Sequence, residues 1–270
     1  MNRARLAIAR RSERRSGFQP RRSVVSLPPY EIHALDVGAG AEPLVLLHGL
    51  SGSGRWWNRN LVGLSRDRRV LVPDIIGFGD TRCPGPIPSI AELAAILNSW
   101  MEHLGVESAD VAGHSMGGQI AVHLAAHFPE RVRRLVLVDS AGLHPAPTPR
   151  TLARFAADIL PPVRWGDPTF LPIILRDSLR AGPRSITRSL AHILTENVGP
   201  LLQHITAPTL VLWGRRDSFV PLEHAREFRA RIPDAQLLVL DRAAHNPMVD
   251  CPLEFNQAVL RFLQGERVGE

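Results

Sequence analysis

Gly113-His114-Ser115-Met116-Gly117 constrains the fold of this chain more tightly than any other stretch. A G-x-S-x-G pattern is only a moderate signal by itself, but its flanks sharpen it. The preceding residues, from Asp110, read as a short apolar strand. Met116–Phe128 reads as a helix that Pro129 stops. Strand, abrupt turn, helix is the arrangement that lifts a serine hydroxyl out of a sheet edge on a strained backbone. A β-carbon at Gly113 or Gly117 would collide with neighbouring backbone in so tight a turn. Ser115 also opens the helix, where unpaired amides and the helix dipole favour negative charge.

The rest of the chain supplies a sheet for that turn. Glu31–Asp36, Pro43–Leu47, Arg69–Pro73, Arg134–Val138, Leu210–Trp213 and Gln236–Leu240 read as strands. Ser89-Ile90-Ala91-Glu92 is a capping box, and Ile90, Leu93, Ile96, Leu97, Trp100, Met101 and Leu104 recur at helical spacing behind it. Pro252–Leu263 closes the chain as a helix. Alternating strands and helices predict an α/β fold with a mostly parallel sheet. The rhythm breaks between Val138 and Leu210. Residues 143–205 carry proline-punctuated helical stretches, such as Thr151–Leu160 and Ser185–Leu194, and are expected to form a helical cap. The core is then 23–142 and 206–270, with 1–22 a mobile basic tail.

A serine hydroxyl needs a base, and the elbow's partners follow it in the order acid, then histidine. Of eleven histidines, His224 and His245 qualify. His224 sits in a polar helical stretch. His245 follows the last strand in Ala-Ala-His-Asn-Pro and is the expected base. Asp217, in Trp-Gly-Arg-Arg-Asp, is the expected orienting acid, with Asp139 as runner-up. The oxyanion requires two amides: Met116 supplies one, and Leu50, in the glycine-rich loop Leu46–Gly54, supplies the other. His48, Gly49, Trp56, His114, Trp165 and Phe170 are candidate substrate contacts. Asp74 reads as a structural loop carboxylate. His123 and His127 stand one helical turn apart but lack a third ligand, so a half-exposed helix face is expected and no metal.

Composition removes competing chemistries. All 32 basic residues are arginine, which excludes Schiff-base lysines, a phosphate-binding P-loop and a protein kinase. The net charge of +6 belongs to the leader: residues 1–22 hold eight arginines and one acid, whereas the remainder has 24 arginines against 25 acids. A near-neutral body suits an uncharged small molecule, and no nucleic-acid partner is expected. No apolar run is long enough for a signal peptide or a membrane span. Cys83 and Cys251 form neither a metal spacing nor a disulfide framework, so a cytoplasmic enzyme is expected.

Together, L-L-H-G-L-S-G-S-G at 46–54, P-D-I-I-G-F-G-D at 73–80, G-H-S-M-G-G at 113–118, L-W-G-R-R-D at 212–217 and A-A-H-N-P at 243–247 resemble the α/β-hydrolase superfamily over about residues 31–264. The resemblance implies that Ser115, Asp217 and His245 form the triad and that 143–205 is the cap. It implies a serine esterase without cofactor, acting on small to medium acyl chains. Carbon–carbon bond hydrolases of the meta-cleavage type, lactonases, thioesterases and perhydrolases share that triad. The cap arginines Arg150, Arg154, Arg164, Arg176, Arg180, Arg184 and Arg188 are candidates to hold a dienoate. A non-catalytic receptor of the same fold is the rival outside enzymes. Ile75-Ile76 departs from the Leu-Pro common in relatives, and an altered loop is expected there.

Overall fold

The computed structural model describes residues 20–143 and 166–270. Eight strands form one sheet: β1 (Arg21–Leu27), β2 (Tyr30–Val37), β3 (Leu44–Leu47), β4 (Val70–Pro73), β5 (Ala109–His114), β6 (Val132–Val138), β7 (Thr209–Gly214) and β8 (Ala235–Leu240). Their order across the sheet is β1-β2-β4-β3-β5-β6-β7-β8. The first two pairings are antiparallel and the rest parallel. Five longer helices accompany them: α1 (Ile90–His103), α2 (Met116–His127), α3 (Leu171–Thr195), α4 (Leu222–Arg231) and α5 (Pro252–Leu263).

The central strands are apolar throughout because both faces are covered. Val45, Leu47, Val111, Leu137 and Val211 join one core. The alternate residues Leu44, Leu46, Val136, Val138, Leu210 and Leu212 join the other. The capping box of α1 forms as expected: Ser89 Oγ accepts from the Glu92 amide at 3.3 Å, and a Glu92 carboxylate oxygen accepts from the Ser89 amide at 2.8 Å.

Two boundaries differ from expectation. β1 begins at Arg21, so Arg21 and Arg22 belong to the sheet and not to a tail. Arg-Arg-Ser-Val-Val-Ser-Leu has only a weak apolar pattern, and its strand character comes from pairing with β2 along its whole length. Arg22 is tied further by an ion pair to Asp80 at 2.9 Å. The expected helix over 185–194 is the second half of α3. That segment is really two helices, since Gly182 (φ 75, ψ 166) breaks it before Pro183. The expected helix at 151–160 and Trp165 lie outside the described residues.

Sequence order reverses at β3: the chain goes next to β4 on one side and then to β5 on the other. A crevice opens beyond the strand ends at such a switch point. The loops that follow β3 and β5 are the expected oxyanion loop and the Ser115 turn.

Candidate active site

Ser115 sits between β5 and α2 with φ 52 and ψ −114, a left-handed backbone that a non-glycine residue adopts only when its surroundings force it. The forcing is visible. The Ser115 amide donates to the Val138 carbonyl at 3.0 Å, and the Ala141 amide donates to the Ser115 carbonyl at 3.1 Å, so β6 grips the turn from both directions. A β-carbon on Gly113 would lie 2.3 Å from the Gly117 carbonyl oxygen, and one on Gly117 would lie 2.6 Å from that of Leu47. Both positions therefore require glycine. Met116 is the first residue of α2, and its N–H has no carbonyl one turn back to bind.

The loop after β3 closes on the same point. Gly49 lies against the nucleophile, since a side chain there would come within 3.2 Å of the Ser115 Cβ. The amide of Leu50 follows it. His48 is fully buried and braces this loop. Its Nδ1–H donates to the Gly49 carbonyl at 2.8 Å, and its Nε2 accepts the Ile75 amide at 2.9 Å. Both ring nitrogens are thus engaged within the protein. Burial holds His48 below the usual imidazole range, so it stays neutral. The Ile75-Ile76 departure keeps the loop attached through that same amide. Asp74 is structural, as read: it accepts the Gly54 and Asp80 amides, each at 2.7 Å.

His245 and Asp217 meet. His245 Nδ1 lies 2.8 Å from Asp217 Oδ2, and the Asp217 side chain is fully buried. The other Asp217 oxygen accepts the amides of Phe219 at 2.7 Å and Val220 at 3.0 Å. Burial works to raise this carboxyl, but His245, the Asp139 carboxyl and the Val220 amide together hold Asp217 below the usual carboxylate range. A carboxylate on Nδ1 fixes the tautomer that leaves Nε2 as the acceptor. His224 is half-buried on α4, within reach of the Asp217 charge.

His114 couples the base to the nucleophile's turn. Its Nε2 lies 2.7 Å from the His245 carbonyl, and a carbonyl only accepts, so Nε2 carries the proton. Burial first, and the neighbouring His245 second, push His114 down to about 3. It therefore stays neutral near pH 7 and holds the His245 backbone through that bond. The His245 ring is flanked by His114 and Phe219, with centroids 4.9 and 5.1 Å away. Trp56 lies beside His114 (5.7 Å) and Phe170 (5.3 Å), so these two expected contacts fall together. Trp57 packs on Phe255 in the core instead. A cleft of about 560 Å³ is lined by Arg216 and Ser218 from the loop after β7, by Arg242 and Ala244 from the loop after β8, and by Gly166, Asp167 and Asp250. No residue of the Ser115 turn lines it.

Sequence reasoning misplaced one histidine of a pair, since His127 is exposed. His123 is buried, not half-exposed, and its Nε2 lies 3.0 Å from Glu196 at the end of the inserted segment. A hydrophobic pattern cannot show that an insertion returns to cover a helix face.

Comparison with known proteins identifies the family. A family model described as the alpha/beta hydrolase fold matches residues 42–167 and 176–252. The chain belongs to that family. It is similar to the dihydrolipoyllysine-residue acetyltransferase component of an acetoin cleaving system from Pseudomonas putida (33% identity, covering 84% of this chain and 65% of that one). The chain thus spans about two thirds of that relative's length. It is also similar to a 2-hydroxy-6-oxononadienedioate/2-hydroxy-6-oxononatrienedioate hydrolase from Cupriavidus pinatubonensis (31%, covering 87% and 91%). Among solved structures, the enol-lactonase from Burkholderia xenovorans superposes with a TM-score of 0.81 at 25% identity, covering 90% of this chain and all of that one. Family membership makes the chain a hydrolase. Among the described residues, no helix is long and apolar enough to cross a membrane.

Proposed function

We propose that this hydrolase cleaves carboxylic esters of small to medium acyl chain through an acyl-enzyme on Ser115. The observation that carries the reading is the His245–Asp217 pair, which a hydrogen bond from His114 ties to the turn that holds a strained serine at a helix N-terminus. In this reading His245 Nε2 takes the Ser115 proton as Oγ attacks the ester carbonyl, and returns it to the departing alcohol. Asp217 orients the imidazole and stabilises its charged form. The amides of Leu50 and Met116 receive the oxyanion. Water then repeats the sequence in reverse and releases the acid. Trp56 and Phe170 form an apolar wall for the acyl group, and the insertion over 143–205 acts as the cap.

The relative from Cupriavidus favours a second reading, hydrolysis of a carbon–carbon bond. That chemistry needs a free cation for the dienoate. Of the described cap arginines, Arg180 donates to the Gly79 carbonyl at 2.7 Å and pairs with Asp80, and Arg184 reaches the Gly85 carbonyl at 3.3 Å. Arg180 and Arg184 are thus engaged elsewhere, and the exposed Arg176 and Arg188 are the described cap arginines left as candidates to hold a dienoate. The test is a panel of p-nitrophenyl esters, lactones, thioesters and a meta-cleavage product, run on wild type and Ser115→Ala. Turnover should be highest on the short and medium esters and should fall by roughly 10⁴-fold or more in the variant. Preference for the meta-cleavage product would replace the ester reading, and undiminished activity in Ser115→Ala would remove the nucleophile.

A further inference from the structure

The triad acid has a second carboxyl beside it. Asp139 follows β6, is fully buried, and holds a left-handed backbone (φ 42). Its amide donates to the Leu212 carbonyl at 3.1 Å, and its Oδ1 accepts the Gly214 amide at 3.0 Å. Both bonds clamp it to β7, the strand that leads into the Asp217 loop. Oδ2 receives no donor from the described groups. Side-chain oxygens of Asp139 and Asp217 and a ring nitrogen of His245 lie within 4.8 Å of one another, so the two carboxyls stand close together in a buried cluster.

Two carboxyls buried this close together repel each other when both are ionised, so one of them keeps its proton. Asp217 accepts from two amides and from His245, all of which favour its anion. Asp139 has one backbone donor, and the other charges acting on it are Asp217 and Asp250, both acidic. On Asp217 act His245 and Asp139, while His114 and His224 sense its charge. The proton therefore belongs on Asp139.

We propose that Asp139 is a positioning residue: a neutral carboxylic acid that donates its proton in a hydrogen bond to Asp217 and so aims the triad carboxylate at His245. Burial, and then the Asp217 charge, push the Asp139 carboxyl well above the usual range, in keeping with that assignment. The donor keeps the buried cluster at one negative charge, which the imidazolium can balance. A second anion would over-stabilise the imidazolium and slow return of the proton to the leaving group.

The inference rests on the proposed triad, so the assay must report on Ser115 without presuming a substrate. The rate of Ser115 labelling by a fluorophosphonate probe is measured against pH for wild type, Asp139→Ala and Asp139→Asn, with circular dichroism to check folding. Asparagine can accept from Gly214 and donate to Asp217, but it cannot ionise. Asp139→Ala should slow labelling on the order of tenfold and move the acidic limb of the profile. Asp139→Asn should rescue most of that loss and restore the limb. Infrared difference spectra should show a protonated-carboxyl band in wild type that Asp139→Asn lacks, whether or not Asp139→Ala folds. Equal damage from both substitutions, an indifferent alanine variant, or no lost band would overturn the proposal. An unlabelled wild type would instead refute the triad.

Discussion

At the scale of single residues, the site depends on contacts too close for any side chain. Gly117 is the sharpest case. A methyl group there would stand 2.6 Å from the Leu47 carbonyl oxygen and 2.7 Å from that of His48, and neither is the end of a flexible side chain. Either the helix start or the oxyanion loop must move. Gly117→Ala should therefore lower Ser115 labelling by about 10²-fold, because a displacement near 1 Å is enough for that. The far-ultraviolet spectrum should remain that of a folded chain; labelling at the wild-type rate would show that the turn tolerates the methyl group. The need for glycine was legible in the motif. The roles of His48 and His114 were not, since each depends on which distant backbone group its ring nitrogen meets. Asp139 was legible as an acid after a strand, but not as a partner of Asp217. That relation exists only once β6 and β7 are neighbours.

At the scale of elements, periodicity found most of the sheet because its central strands are buried on both faces and read as unbroken apolar runs. It missed β1, whose exposed edge carries little such signal, and it joined no strand to another. The end of β5 far from Ser115 illustrates what joining adds. Asp110 is nearly inaccessible and binds Arg68 at 2.6 Å and Arg133 at 2.9 Å, while Glu42 binds Arg133 at 2.9 Å. Burial pushes the Asp110 carboxyl up, and the two guanidinium groups pull it back. Removing the acid strands Arg68, itself buried, without its closest partner. Asp110→Ala should destabilise the fold by about 3–5 kcal/mol in chemical denaturation. Activity per folded molecule should hardly change, because about 13 Å of strand separates Asp110 from His114. A loss of turnover in the still-folded variant would show that β5 transmits strain along its length.

At the scale of the whole molecule, burial of ionisable groups sets the response to pH, and two populations oppose each other. His48, His114, His123 and His224 are all held below the free imidazole value of 6.5, in each case chiefly by burial. Below that value the unfolded chain binds protons that the folded chain refuses. Stability from these groups is present above 6.5 and is lost as the pH falls towards the folded value, about 3 for His114. Asp110, Asp139 and Asp250 are raised above the free value of 3.8, again chiefly by burial. Their contribution is present below 3.8 and is lost as the pH rises through their folded values. Between pH 4 and 6 the two slopes partly cancel, so wild-type stability alone conceals them. Single substitutions separate them. His114→Gln removes one refusing histidine, and its stability relative to wild type should improve by ~1.4 kcal/mol for each unit of acidification between pH 6 and 4. Asp139→Asn should show the opposite sign, gaining on wild type as the pH rises from 4. Urea unfolding of both variants across that range measures the two slopes directly. Parallel pH curves for His114→Gln and wild type would mean that the buried ring takes up a proton in the folded state.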